Sequence, residues 1–211
     1  MAIICPTVTA TEPHQYRFQM ERIESFAPRV HIDLMDGDFA PTVSPPLSQV
    51  WWPDSMQADI HLMYRRPMDH LQELIKLKPR LVIVHNEAEL HHMHFAAELH
   101  ANGIEAGLAL LQDTPVEHAM QIMHSFDHVL IFSGHLGYHG GTADLNLLDK
   151  VRAVRAHHPD AEIGWDGGIN AGNAAALIKA GVDVLNVGGF IQSAEDPINA
   201  YAKLEEVTGS A

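Results

Sequence analysis

Residues 30–37 read Val-His-Ile-Asp-Leu-Met-Asp-Gly, a short apolar run that carries two regularly spaced polar residues and ends in the turn pair Asp-Gly. Successive side chains of a strand point to opposite faces, so the run predicts a buried strand with His31 and Asp33 on one face. The next stretch, 36–53, contains four prolines and predicts a long loop rather than a helix. Loops that follow strands are where α/β folds place their chemistry.

The same kind of apolar run occurs eight times, and segments with helical spacing separate the runs. The predicted strands are Ile3–Val8, Val30–Leu34, Asp59–Met63, Leu81–Val84, Ala106–Leu110, His128–Phe132, Glu162–Trp165 and Val182–Val187. Apolar stripes at three- and four-residue spacing, such as 68–77 and 145–154, predict helices between them. Eight strand-helix repeats favour a closed (β/α)8 TIM barrel, with an open doubly wound sheet as the main alternative.

Length and composition limit the classes of protein that the chain can be. Its 211 residues fit one α/β barrel, a class of about 200–250 residues, and no linker divides them, which predicts a single domain over 1–211. The net charge of −14 disfavours binding to nucleic acid or to an anionic membrane surface. A lone Cys5 and the lack of an apolar stretch of about 18 residues favour a cytoplasmic protein without a membrane partner.

Four residues of two metal-binding types lie in or directly after predicted strands, namely His31, Asp33, His61 and Asp166. In a barrel these side chains converge, and two imidazoles with two carboxylates suit one divalent ion, Zn²⁺, Mn²⁺, Fe²⁺ or Co²⁺, better than Ca²⁺ or Mg²⁺. Asp33 and Asp166 are also the pair that could remove and return a proton beside a carbonyl group. The alternative is that the histidines and acids form hydrogen bonds, salt bridges or helix caps.

Glycines follow the last three predicted strands, at Gly137, Gly140 and Gly141, at Gly167 and Gly168, and at Gly188 and Gly189. Backbone N–H groups without a neighbouring side chain can approach a phosphate closely, and barrels often bind phosphate after strands seven and eight. We therefore predict a phosphorylated substrate. Any single glycine pair could instead only turn the chain.

Five motifs in chain order carry a resemblance to a known family: Ile4-Cys5-Pro6-Thr7, His31-Ile32-Asp33-Leu34-Met35-Asp36-Gly37, Asp59-Ile60-His61-Leu62-Met63, Val84-His85-Asn86-Glu87-Ala88 and Trp165-Asp166-Gly167-Gly168-Ile169-Asn170. With them the chain resembles, over nearly its whole length, the ribulose-phosphate 3-epimerases. The resemblance implies a barrel of the ribulose-phosphate-binding type. It also implies interconversion of D-ribulose 5-phosphate and D-xylulose 5-phosphate by proton transfer at C3 through an enediolate.

The resemblance also implies roles for particular residues. His31, Asp33, His61 and Asp166 would bind the metal, and Asp33 and Asp166 would be the catalytic acid and base on opposite faces of the substrate. The implied substrate-binding residues are Thr7, Met35, Met63, His85, Gly140, Gly141, Gly167, Gly188 and Gly189. By the same resemblance the partner is a small sugar phosphate, and barrel relatives suggest a homo-oligomer, a dimer or larger.

The chain departs from the family pattern around the substrate. Residues 134–142 read Gly-His-Leu-Gly-Tyr-His-Gly-Gly-Thr, and from His135 onward they are one residue longer than the usual Asn-Pro-Gly-Phe-Gly-Gly-Gln loop. Phe132, Gly189 and Thr42 replace a usual Met, Ser and Asn. All four proposed metal ligands are kept, so the sequence predicts the chemistry more firmly than the sugar.

Three alternatives therefore stay open. The chain could epimerise a related ketose phosphate, such as a six-carbon one, or it could be a non-catalytic sugar-phosphate-binding barrel. The retention of both Asp33 and Asp166 argues against a pure binder. A sugar-phosphate decarboxylase or aldolase is the third alternative, but the absence of a lysine from the proposed site argues against Schiff-base chemistry.

Overall fold

Eight parallel strands form the centre of the structure, a computed structural model that describes residues 2–138 and 140–210. The strands are β1 (Ile3–Thr9), β2 (Arg29–Met35), β3 (Gln57–Met63), β4 (Leu81–His85), β5 (Glu105–Leu110), β6 (His128–Phe132), β7 (Glu162–Asp166) and β8 (Val184–Val187). They pair in chain order, and β8 pairs with β1, which closes the barrel. The predicted (β/α)8 barrel is confirmed and the open sheet is excluded. Met1, His139 of the loop after β6, and Ala211 lie outside the described residues.

The helices lie between the strands and cover the barrel. They are α1 (Pro13–Ile23), α2 (Leu71–Leu77), α3 (His92–Ala101), α4 (Met120–Met123), α5 (Leu148–His157), α6 (Ala174–Lys179), α7 (Gly189–Gln192) and α8 (Pro197–Ser210). Between β2 and β3 the chain forms only a short 3-10 turn, Leu47–Gln49. The proline-rich stretch is thus the loop that the sequence predicts. In the described part of the chain, every helix is too short or too polar to cross a membrane.

The alternation of side chains in β2 shows how the strands build two compartments. Val30, Ile32 and Leu34 are fully buried in the main core between strands and helices. His31 and Asp33 alternate with them and therefore face the interior of the barrel. The sequence places polar chemistry inside the barrel and apolar packing outside it.

Two predicted boundaries are corrected by local hydrogen bonding. Strand β8 begins at Val184 rather than Val182, because the Val182 N–H donates to the carbonyl of Leu177 and completes the end of α6. The stripe 68–77 is not one helix, since Pro67–His70 form a 3-10 turn before α2. Helix α2 ends at Leu77, where Lys78 adopts a left-handed conformation with φ of 54°.

An ionic network fills the amino-terminal end of the barrel. Arg29 is buried and donates to both carboxylate oxygens of Glu162, at 2.9 and 2.7 Å, and through Nε to Asp59 at 2.7 Å. His128 Nδ1 lies 2.8 Å from the same Glu162 carboxylate. Burial alone would raise the pKa of Glu162, but the hydrogen bonds from Arg29 and His128 outweigh it and hold that pKa well below its usual range. This end of the barrel therefore serves stability.

Candidate active site

The four residues predicted as metal ligands lie together in the interior of the barrel. His31 and Asp33 come from β2, His61 from β3 and Asp166 from the end of β7, and all four are buried. One ligand atom from each lies within 4.8 Å of the others. His61 Nδ1 is 2.9 Å from Asp33 Oδ1, and His31 Nε2 is 3.2 Å from the same oxygen. The closed barrel brings together residues that are up to 135 positions apart in the chain, from His31 to Asp166.

The hydrogen bonding of His31 fits a bound metal ion. The residue is fully buried, and its Nδ1 has no hydrogen-bond partner within the described part of the chain, while its Nε2 faces the carboxylates of Asp33 and Asp166, at 3.2 and 3.9 Å. An unpaired buried polar atom costs about 1–3 kcal/mol, so such atoms are rare without a ligand or water. Two imidazoles and two carboxylates are the donor set of a transition-metal ion. The residues present therefore fit such an ion.

The two aspartates have opposite acidities. Burial would raise the pKa of Asp33, but the imidazoles of His31 and His61 outweigh it and lower that pKa well below its usual range. Burial raises the pKa of Asp166 to about 7, and the negative charge of Asp33 contributes to the same rise. Burial also lowers the pKa of His61 to about 3, so its ring is neutral, as a metal ligand must be. Asp33 is thus ionised at neutral pH, whereas Asp166 gains and loses its proton close to pH 7.

Thr9 adds a hydrogen bond to Asp33 that the sequence analysis missed. Its hydroxyl donates to Asp33 Oδ2 over 2.6 Å, so that carboxylate is held by Thr9, His61 and the nearby His31. The signal was present in the sequence, because Thr7 and Thr9 alternate along β1 and share the inward face. The added contact fixes the orientation of Asp33.

Behind His61 a row of polar side chains runs away from the metal-binding group. His61 Nε2 lies 2.8 Å from His85 Nε2, and His85 Nδ1 lies 3.5 Å from Glu87 Oε2. Thr114 donates a hydrogen bond to the other oxygen of Glu87. If His61 offers Nδ1 to the metal, its Nε2 carries the proton, which makes His85 the acceptor and places the His85 proton on Nδ1, towards Glu87. With Nδ1 on a metal ion, the row would therefore hold His61 in its Nε2–H tautomer.

A cavity of about 330 Å³ opens at the carboxyl end of the barrel above these residues. Among the predicted residues it is lined by Thr7, Asp33, Met63, Asp166, Gly140, Gly141, Gly167, Gly188 and Gly189. His31, His61, Met35 and His85 are buried beneath or behind this lining. Met35 packs against Met63, whereas His85 contacts His61, so a contact between His85 and a sugar stays a prediction.

Three glycine turns meet at the mouth of the cavity. A Cβ atom built on Gly189 would lie only 3.7 Å from the Cα atom of Gly140, so the loops after β6 and β8 approach each other closely. Gly140 and Gly141 have φ of +91° and +109°, a conformation that side-chain-bearing residues rarely adopt. Backbone amides without neighbouring side chains thus surround one end of the cavity.

The unusual loop after β6 is tied to the loop after β2. Thr42 donates a hydrogen bond of 2.8 Å to the carbonyl of Gly137. A Cβ on Gly137 would lie 2.2 Å from the Thr42 hydroxyl, and its φ is +79°, so only glycine fits there. His135 and Tyr138 of this loop line the cavity, while His139 lies outside the described residues. The two departures from the family pattern, Thr42 and this loop, therefore form one connected feature.

The family comparison agrees with the site. The chain matches the family described as "Ribulose-phosphate 3 epimerase family" over residues 3–192. It is 29% identical over 216 residues to the ribulose-phosphate 3-epimerase of Mycobacterium bovis, covering 99% of this chain and 94% of the relative. The enzyme of the same name from Bacillus subtilis is 30% identical over 190 residues, with 86% of each chain covered.

Solved structures agree in fold. The chain is similar to KGPDC from Streptococcus mutans, with a TM-score of 0.76, 11% identity and coverage of 100% of this chain and 98% of that one. It is also similar to a 3-hexulose-6-phosphate synthase, with a TM-score of 0.71, 17% identity and coverage of 97% and 99%. At these identities the likeness shows the barrel fold alone. The match to the family model, across most of the chain, shows that this protein belongs to the ribulose-phosphate 3-epimerase family and is an epimerase, an enzyme of the isomerase class.

Proposed function

We propose that the protein is a metal-dependent ribulose-phosphate 3-epimerase that interconverts D-ribulose 5-phosphate and D-xylulose 5-phosphate. One observation carries the proposal: Asp33 and Asp166 line the same cavity, and their pKa values are shifted in opposite directions. Epimerisation needs one group that takes a proton and another that returns one. Two carboxylates with separated acidities meet that need.

In the proposed mechanism, ionised Asp33 removes the proton from C3 of the substrate. The electron pair of the broken C–H bond forms the C2–C3 double bond, and negative charge moves to the oxygen on C2. Protonated Asp166 then donates its proton to the opposite face of C3, which inverts that centre and restores the carbonyl group. In the reverse direction the two carboxylates exchange roles.

His31, Asp33, His61 and Asp166 would hold the divalent ion, Zn²⁺, Mn²⁺, Fe²⁺ or Co²⁺. When bound, such an ion supplies positive charge beside the negative oxygen that develops during proton transfer. Thr9, His85 and Glu87 keep the carboxylate of Asp33 and the ring of His61 in place for this purpose.

The other predicted residues would bind the substrate. We propose that the backbone of Gly140, Gly141, Gly188 and Gly189, together with the turn at Gly167, holds the phosphate. Thr7 and His85 would contact the sugar, and Met35 and Met63 would flank the reacting carbons. Their positions at or below one cavity support these assignments.

A six-carbon ketose phosphate is the second candidate substrate. The observation that favours it is the longer loop 134–142, which Thr42 ties to the loop after β2 and which replaces the usual family sequence. We also propose that the protein acts in the cytoplasm as a homo-oligomer. The lone, buried Cys5 supports a reducing compartment, and the frequency of closed symmetric assemblies supports the oligomer.

Proton NMR in D₂O tests the proposed function. Metal-loaded protein is mixed with D-ribulose 5-phosphate, and the expected result is deuterium entry at C3 with formation of D-xylulose 5-phosphate, both abolished by EDTA. The variants Asp33→Asn and Asp166→Asn keep the size of the side chain and should each lose activity at least about 100-fold, the minimum expected of a lost acid or base. Folded, metal-loaded protein that gives neither exchange nor product would overturn the proposal for this substrate. The six-carbon ketose phosphate in the same assay then separates the two candidates.

A further inference from the structure

Asn186 is a buried polar residue that the mechanism does not use. It lies in β8, in the sequence Val-Leu-Asn-Val, and only 2% of its surface is exposed. Within the described residues neither its Oδ1 nor its Nδ2 forms a hydrogen bond, although the residue lines the cavity. A buried amide with both groups unpaired is costly, and it points to a ligand that is bound at this position.

The strand register places Asn186 beside the proposed acid. Asn186 pairs with Asp166 of β7 and with Cys5 of β1, so its side chain shares their inward face and lies next to Asp166. Gly188, in the glycine turn of β8, follows two residues later, which is about 6–7 Å farther along the strand. Asn186 therefore lies beside the proposed acid Asp166 and beneath the proposed phosphate end.

The chemistry of the side chain restricts what it can bind. A carboxamide offers one acceptor and one two-proton donor and has no charge. An anion would use only the donor and leave Oδ1 unpaired, and a cation would leave Nδ2 unpaired. A hydroxyl group can accept from Nδ2 and donate to Oδ1 or to a neighbouring oxygen. The neutral, hydroxyl-bearing part of a sugar phosphate satisfies both groups.

We propose that Asn186 binds the C4 hydroxyl of the substrate, the hydroxyl next to the epimerised carbon on the side of the phosphate. The inference rests on the proposed function, since C3 at the two aspartates and the phosphate at the glycine turns place C4 between them. Asn186 thereby makes the enzyme selective for a substrate with a hydroxyl at C4. It positions the sugar and transfers no proton.

A binding experiment tests this without turnover. The probes are an unreactive pentitol 5-phosphate, which has a hydroxyl in place of the C2 carbonyl, and its 4-deoxy analogue, titrated calorimetrically into wild type and Asn186→Leu. Wild type should bind the 4-hydroxy probe about 10- to 100-fold more tightly, the range expected for a buried polar pair that is left unmatched. Asn186→Leu, of similar volume, should bind both probes about equally, and Asn186→Ser, whose hydroxyl can also donate and accept a hydrogen bond, should recover part of the preference.

Thermal unfolding of the ligand-free variants separates binding from a structural role. Because leucine removes two unpaired buried groups, Asn186→Leu should unfold at the same temperature as wild type or higher. Equal binding of both probes by wild type, or an equal loss for both probes in a destabilised variant, overturns the assignment of Asn186. Epimerisation of D-ribulose 5-phosphate by wild type is measured separately. If wild type shows no deuterium exchange at C3 but still prefers the 4-hydroxy probe, the proposed function is overturned and the hydroxyl subsite at Asn186 stands.

Discussion

Metal binding should raise the thermal stability of this protein by an amount that can be calculated in advance. The four ligands come from β2, β3 and β7, and an unfolded chain does not hold them within the 4.8 Å that separates them in the barrel. An ion that binds only the folded state at 100 times its dissociation constant stabilises that state by about 2.7 kcal/mol. For a domain of this size each kcal/mol raises Tm by about 2–4 °C, so the rise should be about 5–10 °C.

The assay is thermal unfolding of EDTA-treated protein after addition of Zn²⁺, Mn²⁺, Fe²⁺ or Co²⁺. Asp166→Asn preserves the volume of the side chain but removes one ligand, so most of the rise should be lost. The chain has 16 histidines, and His100→Gln controls for binding elsewhere, because His100 is exposed and pairs with Asp127. That variant should keep the full rise. The reasoning is refuted if no ion changes Tm, or if Asp166→Asn responds as strongly as wild type.

Three further predictions concern the polar row behind His61, the ionic network at the amino-terminal end of the barrel and a glycine turn at the cavity. Glu87→Gln should weaken metal affinity about 10- to 100-fold in a chelator competition, because the carboxylate no longer fixes the proton of His85. Unchanged affinity would show that the polar row behind His61 does not influence metal binding. Glu162→Gln should lower the free energy of unfolding at pH 7 by about 3–5 kcal/mol. Because folding lowers the pKa of Glu162, the ionised carboxylate stabilises the folded protein at neutral pH. In denaturant titrations, the difference in unfolding free energy between wild type and Glu162→Gln should narrow as the pH falls below the pKa of this group in the unfolded chain. Gly168→Ala should lower Tm more than Gly103→Ala, since both have positive φ but only Gly168 would bring a Cβ to 2.0 Å from a backbone nitrogen; equal shifts would argue against a steric role.

The architecture could be predicted because each strand carries its own signal. The eight apolar runs, with helical stripes between them, give the number of repeats, and eight repeats favour a closed barrel over an open doubly wound sheet, which also buries both faces of its strands. The ends of elements were less predictable. Val182 has the apolar character of a strand residue, but a hydrogen bond to Leu177 makes it part of the turn after α6. Such boundary bonds depend on the conformation of Gly181, whose φ is +107°, and the sequence does not specify that value.

Most of the candidate site could also be predicted, because its residues follow the strand alternation. His31, Asp33, His61 and Asp166 each stand at an inward position near a strand end, and barrel closure alone brings them together. Asn186 carried an equally clear signal that was not used. A single asparagine within Val-Leu-Asn-Val must either face the barrel interior or remain unpaired in the core, and either outcome marks it as unusual.

The position of His85 could not be predicted, because it depends on the stagger between strands. His61 pairs with Ile83, and His85 lies two residues farther along β4 on the same face, which brings its ring to 2.8 Å from that of His61. A shift of the register by two residues would keep every apolar residue on its face and yet separate the two rings. The amount of stagger is a property of the closed barrel as a whole and leaves no trace in the composition of either strand. The sequence therefore predicts that a histidine at the end of a strand faces the cavity. Whether that histidine touches a ligand itself or holds another residue that does so is decided by the stagger of the closed barrel.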